Sequence, residues 1–385
     1  MLLLQVTNKR KLIYLLLSAF LLRLVFLYPQ YSGDVKNHLV WGNAFLENSV
    51  GIYSRHFSGF NDINYPPVAI FLFALANLFL STLNNLFEYL NQTISIFPSL
   101  LVPLFKSENM SMGFLKLPGI ISDIGIGYLI YKFAKFFKRR RPFLLASLYL
   151  FNPAVIYLSS VWGQIEPVTN VFLLWSLYLV ITPQNKNLKL ISIPIFCLAA
   201  LVKQTALWFI PFYFILWYKE LNRQEIIKGL LLSFIFYIVS YLPSGLSPVP
   251  AVQSYLSTLS GSSSGVTDNA WNFWYYLLPS LPADSYKISF LSVRQISIAL
   301  LLLILFMLIF KTLKKYSLKK LFYYLFFWSV AVFFFQTRVH ERHLAPALIF
   351  GLLVFLESPS WWFFYLFLST FHFLNMFLTL KIPFI

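Results

Sequence analysis

The chemistry of this chain sits in a few polar residues set between long apolar runs. Gly33-Asp34 offers a carboxylate, followed by Lys36, His38 and Trp41. A carboxylate at a membrane edge can act as a general base for a hydroxyl. Gly-Asp is equally an ordinary turn pair. Arg338-Val339-His340-Glu341-Arg342-His343 sets two guanidiniums and two imidazoles against one carboxylate. That composition suits an anion, with phosphate or pyrophosphate as the natural guest. A zinc site fails on spacing, because His340 and His343 are three apart and the metalloprotease motif places its histidines four apart.

Trp162-Gly163-Gln164-Ile165-Glu166 combines an indole for stacking with an amide for hydrogen bonding, as a sugar requires. Trp is also enriched in interfacial belts for no specific reason. Lys203-Gln204 separates two apolar runs; its lysine can snorkel or rest on a lipid phosphate as a point charge. Asp62-Ile63-Asn64-Tyr65-Pro66-Pro67 is a rigid turn leading into an apolar helix. Its Tyr65 is placed to wall a groove, and Asn272 lies in a later polar loop.

The elements that must position these residues are membrane helices. Hydrophobic residues make up 59% of the 385-residue chain, aromatic ones 20% and charged ones 11%. A soluble domain carries about 25% charged residues, so a soluble enzyme and a disordered chain are both excluded. The net charge of +17 does not indicate nucleic acid, because there is too little polar surface to hold it. Cys197 is the single cysteine, which excludes a disulfide framework and makes it core filler.

Apolar length and the clustering of Lys and Arg on the cytoplasmic side predict about eleven spanning helices with the amino terminus inside. The spans are 12–28, 116–137, 143–158, 168–182, 188–202, 205–218, 228–242, 288–310, 321–337, 344–356 and 361–380. Some are short enough to be half-helices. Residues 29–115 form a long first outer loop with helices in the interface at 67–83 and 94–105; alternatively these two cross as a pair. Residues 243–287 form a second outer loop containing the polar stretch 257–269. The fold is thus an all-α polytopic membrane protein forming one catalytic domain over residues 1–385. The first apolar run, ending in Tyr28-Pro29-Gln30, has no small-residue cleavage site, and no repeat is evident. On this layout nearly the whole positive surplus is cytoplasmic, and the outer face is almost neutral.

Within the membrane, Arg23 and Asp123 lie at similar depth in sequential antiparallel helices, which predicts a buried structural ion pair. Gly125 and Gly127 suit close helix packing. The remaining polar groups converge on the outer face. A cationic turn would hold the phosphate of a lipid-linked sugar while Asp34 deprotonates the acceptor hydroxyl. In-line attack with one carboxylate predicts inversion at the anomeric carbon, by analogy with hydrolases.

The chain resembles the C-type integral-membrane glycosyltransferases, closest to the dolichyl-phosphate-glucose-dependent glucosyltransferases of N-glycan assembly and their prokaryotic relatives. The resemblance rests on Gly33-Asp34 with Trp41, Asn64-Tyr65-Pro66-Pro67-Val68-Ala69, Phe114-Leu115-Lys116 with Asp123, and Asn152-Pro153. It continues through Trp162-Gly163-Gln164-Ile165-Glu166, Ala199-Ala200-Leu201-Val202-Lys203-Gln204, Asn272-Phe273-Trp274 and Val339-His340-Glu341-Arg342. Arg342 stands where the family usually has Lys. The resemblance implies a C-type glycosyltransferase fold, Asp34 as catalytic base, and a polyprenyl-phosphate sugar as co-substrate. It also implies a glycan or lipid-linked acceptor and no required metal or other cofactor. Lys203, Arg338, His340, Arg342 and His343 would then bind the donor phosphate. Tyr65, Trp162, Gln164, Glu166, Asn272 and Trp274 would form the sugar or acceptor groove. Membrane lipids are the other expected partner. The site would face away from the cytoplasm, in the plasma (inner) membrane of a prokaryote or the endoplasmic reticulum of a eukaryote. A lipid-linked saccharide flippase, and a glycan polymerase or ligase using a pyrophosphate-linked donor, are the competing readings.

Overall fold

The computed structural model describes residues 2–28, 32–182, 186–259, 263–357 and 359–383. Pro29 and Gln30 of the amino-terminal run, and residues 260–262 of the polar stretch 257–269, lie outside the described residues. The described chain is helical apart from one two-stranded antiparallel hairpin, Lys287–Ile288 with Leu291–Ser292.

The first part of the chain comprises α1 (Leu2–Leu24), α2 (Gly33–Glu47), α3 (Pro67–Thr93), α4 (Leu101–Lys106), α5 (Glu108–Phe114) and α6 (Leu117–Phe136). There follow α7 (Pro142–Leu150), α8 (Pro153–Ile156), α9 (Glu166–Ile181), α10 (Lys186–Lys189), α11 (Ser192–Val202) and α12 (Ile210–Glu220). The last part is α13 (Arg223–Tyr241), α14 (Pro248–Leu259), α15 (Phe273–Leu277), α16 (Val293–Lys314), α17 (Leu318–Phe335), α18 (Ala345–Glu357) and α19 (Trp362–Leu380).

Six helical stretches are long and apolar enough to cross a bilayer: Pro67–Thr93, Glu108–Phe136, Arg223–Ser244, Val293–Lys314, Leu318–Phe335 and Trp362–Leu380. Pro142–Leu150 with Pro153–Trp162, bent by 47°, makes a seventh if the pair is one span. By the length and composition of these helices the chain is a multi-pass integral membrane protein.

The helix boundaries have local causes. At Asn152-Pro153 the proline cannot donate to the preceding turn, and the Asn152 side chain accepts from Ala154 N as a cap. The helix expected from 288 starts at Val293, because Ser292 and Gln295 form a reciprocal capping box while 287–292 turn back as the hairpin. The helix expected over 67–83 runs 27 residues to Thr93. Its polar extension is held by the Glu88–Lys106 ion pair and by Phe87 edge-on to Phe105. The stretch expected at 94–105 holds only the short α4.

The main core lies among α6, α9, α11, α17 and α18, where Phe133, Leu174, Phe212, Phe322 and Leu352 are fully buried. By contrast α16 leaves Leu302, Leu303, Phe306 and Phe310 exposed, as a helix facing lipid would. Arg23 and Asp123 meet as expected: Arg23 Nε lies 3.4 Å from Asp123 Oδ2, with both side chains 0% exposed. Tyr149 donates to the other Asp123 oxygen at 2.8 Å, and Arg23 Nη1 donates to Ala19 O.

Candidate active site

Four elements bring the polar residues together. Asp34 opens α2, one residue into the helix, where a carboxylate also suits the positive end of the helix dipole. Trp162 ends a π-helical turn, Tyr157–Trp162, that breaks the line of α8. Such turns are frequent at functional sites. Gly163 then reverses the chain at φ +83, and a Cβ there would come 2.8 Å from Val35 Cγ2. Only glycine meets both demands, and the close approach lets Gln164 reach α2. Lys203 follows the last turn of α11. The turn 336–344 joins α17 to α18, with Arg338 in the left-handed region at φ +60.

These elements enclose a cavity of about 490 Å³. Of the residues expected in the site, Asp34, Tyr65, Lys203, Arg338, His340, Arg342 and His343 line it. Asp34 is the one acidic side chain among the described residues that does so. Asn37, His38, Trp41, Asn64, Gln204 and Trp208 add amide and aromatic wall.

Trp162, Gln164 and Glu166 lie behind this surface, each less than 5% exposed. Gln164 Nε2 donates to Asp34 Oδ2 at 2.6 Å and orients the carboxylate. Glu166 Oε1 accepts from Lys203 Nζ and lies 3.0 Å from Arg342 Nε. The Arg342 N–H is not directed at that oxygen, so this second contact is an ion pair without a hydrogen bond. The Arg342 guanidinium lies over the Trp162 ring, 5.2 Å from its centroid, and Lys203 lies at the same distance from the Tyr65 ring. Arg342 Nη1 is 3.6 Å from Asp34 Oδ2 and 3.5 Å from Glu341 Oε1. One guanidinium therefore faces three carboxylates.

Asn272 and Trp274 differ from expectation. Neither lines the cavity among the described residues; both are buried against the end of α17. Asn272 Nδ2 donates to Gln336 O, its Oδ1 caps α15 by accepting from Tyr275 N, and Trp274 Nε1 donates to Phe335 O. Their polar atoms are consumed in holding α15 to the start of the cationic turn. Arg338 makes a two-point contact with Asp284, Nε to Oδ2 at 2.6 Å and Nη2 to Oδ1 at 3.0 Å. His340 Nε2 lies 3.1 Å from Asp268 Oδ2. Asp268 and Asp284 carry no local signal in the sequence beyond being acids in a polar loop.

The environment sets each charge. Desolvation works to raise the Asp34 pKa, but Arg342, the Gln164 amide, His38 and Lys203 together hold it below the usual carboxylate value. Asp34 is thus ionised at neutral pH. Burial pushes His38 down to about 4, and it stacks as a neutral ring on Phe73, centroids 4.1 Å apart. His343 is driven well below the ordinary imidazole value, first by burial and then by Lys203, His340 and Arg342. Its Nδ1 accepts the His340 backbone N–H at 3.3 Å, so its proton resides on Nε2. Burial opposes the charge on Arg342, but Glu166 and Asp34 outweigh it and keep the guanidinium cationic. Glu341, 2% exposed, is pushed up to about 7, chiefly by burial.

The arrangement can do two things at once. An ionised, half-exposed carboxylate can accept a proton, and a guanidinium, an ammonium and a neutral imidazole N–H can hold an oxyanion beside it. No group of three or more His, Cys, Asp or Glu among the described residues could hold a metal ion. No described protein family matches the sequence, and no curated protein does.

Proposed function

We propose that the chain is a glycosyltransferase that moves a hexose from a polyprenyl-phosphate donor to a hydroxyl of a glycan or lipid-linked acceptor. The observation that carries this reading is Asp34. It is the acid lining a cavity that also presents Lys203, Arg342 and His343, with Gln164 orienting its carboxylate. The C-type resemblance of the ordered motifs supports it, and so does the multi-pass architecture. In this proposal the eleven-span layout places the cavity at the non-cytoplasmic face, with the amino terminus inside.

The reaction balances without a redox partner. Asp34 takes the acceptor hydroxyl proton, the oxygen forms a bond to the anomeric carbon, and the bond from that carbon to the lipid phosphate breaks. The leaving polyprenyl phosphate carries the electron pair and is stabilised by Lys203, Arg342 and the His343 Nε2–H. Attack from the Asp34 side inverts the anomeric centre. The low basicity of Asp34 is relieved when phosphate reaches Arg342 and Lys203, the cations that depress it.

Purified Asp34→Asn protein assayed with a panel of polyprenyl-phosphate hexoses tests this. Removal of a general base should cost roughly 10²–10⁴-fold in transfer while membrane insertion is unchanged. Near-normal transfer by Asp34→Asn would overturn the assignment.

A further inference from the structure

The contact between Asp268 and His340 is held from both sides by backbone. Asp268 N donates to Val339 O at 2.9 Å, and residues 268 and 269 form bridges with His340. Asn269 takes a left-handed conformation at φ +65, and the loop is pinned from below by α19. There Asn375 Oδ1 accepts from Trp271 N at 3.0 Å and its Nδ2 donates to Asn269 O at 2.9 Å. Asn375 is itself 0% exposed. A carboxylate in a loop pinned this firmly, 3.1 Å from an imidazole nitrogen and without a hydrogen bond to it, favours the charged form of that ring.

We propose that Asp268 is the positioning residue for His340: its carboxylate, at ion-pair distance from Nε2, holds the ring at the cavity wall and supports the imidazolium that forms when an anion enters. This rests on the reading of the cavity as a donor-phosphate site. The groups that face His340 are Asp268 from the 263–292 segment, His343 with its ring at 5.3 Å, Arg342, and Lys203 after α11. Asp34 acts on Asp268 from α2. Arg342 and Lys203 add to burial and hold His340 at about 2, so it is neutral. A phosphate between the ring and those cations removes that opposition, and Asp268 then favours uptake of one proton from solvent. Binding of a phosphate monoester is thereby linked to protonation of His340, and it weakens as pH rises through the imidazolium pKa of the complex.

The test uses full-length protein in detergent, with farnesyl phosphate as the probe, titrated between pH 5 and 8.5. Asp268→Ala removes both orientation and charge, Asp268→Asn keeps an acceptor oxygen without the charge, and Asp268→Glu restores the charge. Expected at pH 6 is a Kd for Asp268→Ala roughly ten- to a hundredfold above wild type. Asp268→Asn should lie between them, with its weakening displaced to lower pH, and Asp268→Glu should recover part of the loss. An Asp268→Asn profile that overlays the wild type overturns the proposal and leaves the donor-site reading standing. If the wild type binds no farnesyl phosphate, the donor-site reading fails instead. A ¹⁵N-histidine titration with inorganic phosphate present then decides on Asp268: a His340 imidazolium pKa that falls in Asp268→Ala upholds it, and an unchanged His340 titration overturns it.

Discussion

Glu166→Gln isolates the support beneath the cationic cluster. The substitution keeps volume and removes one charge from a residue 4% exposed. Glu166 Oε1 receives the Lys203 ammonium and sits 3.0 Å from Arg342 Nε, and the Lys203 side chain is 6% exposed. Removing one partner of a buried ion pair costs about 3–5 kcal/mol, because the other charge is left without compensation. Arg342 retains Asp34 at 3.6 Å and Glu341 at 3.5 Å, so the loss falls mainly on Lys203, at about 3 kcal/mol, the low end of that range. The assay is a double-mutant cycle of Glu166→Gln with Lys203→Met, read as thermal unfolding by tryptophan fluorescence in one detergent. Each single variant should lower the midpoint, and the double variant should regain most of what Glu166→Gln lost, because no unpaired ammonium remains. Losses that simply add would refute the pairing as an energetic unit. Under the proposed function, Glu166→Gln should also strengthen phosphate binding and slow transfer, since the freed cations turn toward Asp34 and depress its basicity further.

Two further outcomes follow from buried charge. Arg23→Met or Asp123→Asn alone should destabilise the chain by about 3–5 kcal/mol, and the pair replaced together should be much less harmful; unfolding in mild detergent reads both, and a harmless single change would sink the structural role. Glu341 has a folded pKa raised from 4.5 to about 7, so its contribution to stability is fully present below pH 4.5 and is lost as pH rises through about 7. Over that range it should remove about 3 kcal/mol. Glu341→Gln should flatten the fall in midpoint between pH 4.5 and 7, and a variant whose slope matches the wild type would show that Glu341 is ionised throughout.

What the sequence made legible follows from scarcity. In a chain with 11% charged residues, Asp34, Lys203 and the 338–343 turn stand out because an apolar environment makes each costly to keep. Six of the residues so identified meet in one cavity. The buried Arg23–Asp123 pair was legible for the same reason, since helical rise alone puts the two residues at one depth. Hydropathy locates apolar length but not caps. It therefore began one helix at 288, where Ser292 and Gln295 cap it from 292, and ended another at 83, where Phe87 and Glu88 find partners on the following segment. Asp268 and Asp284 were illegible for a different reason. Arg338 and its partner are 54 residues apart, and nothing in local spacing specifies which loop acid meets which base.

That long-range pairing alters the chemistry read from residue types alone. The sequence places a carboxylate and a cationic turn on one face as two separate tools. In the structure Asp34 and Arg342 are in contact, Arg342 is shared with Glu166 and Glu341, and Arg338 and His340 are held by acids of the 263–292 segment. The cations are thus screened before any ligand arrives, which limits the desolvation cost of burying them. Under the proposed function, an incoming phosphate competes for Arg342 with Asp34, the half-exposed member of the group. The competition has a direction: as phosphate takes the guanidinium, the largest opposite charge acting on Asp34 is neutralised. Under the proposed function, donor binding itself therefore raises the basicity of Asp34, and the carboxylate becomes an effective base only when there is a sugar to transfer.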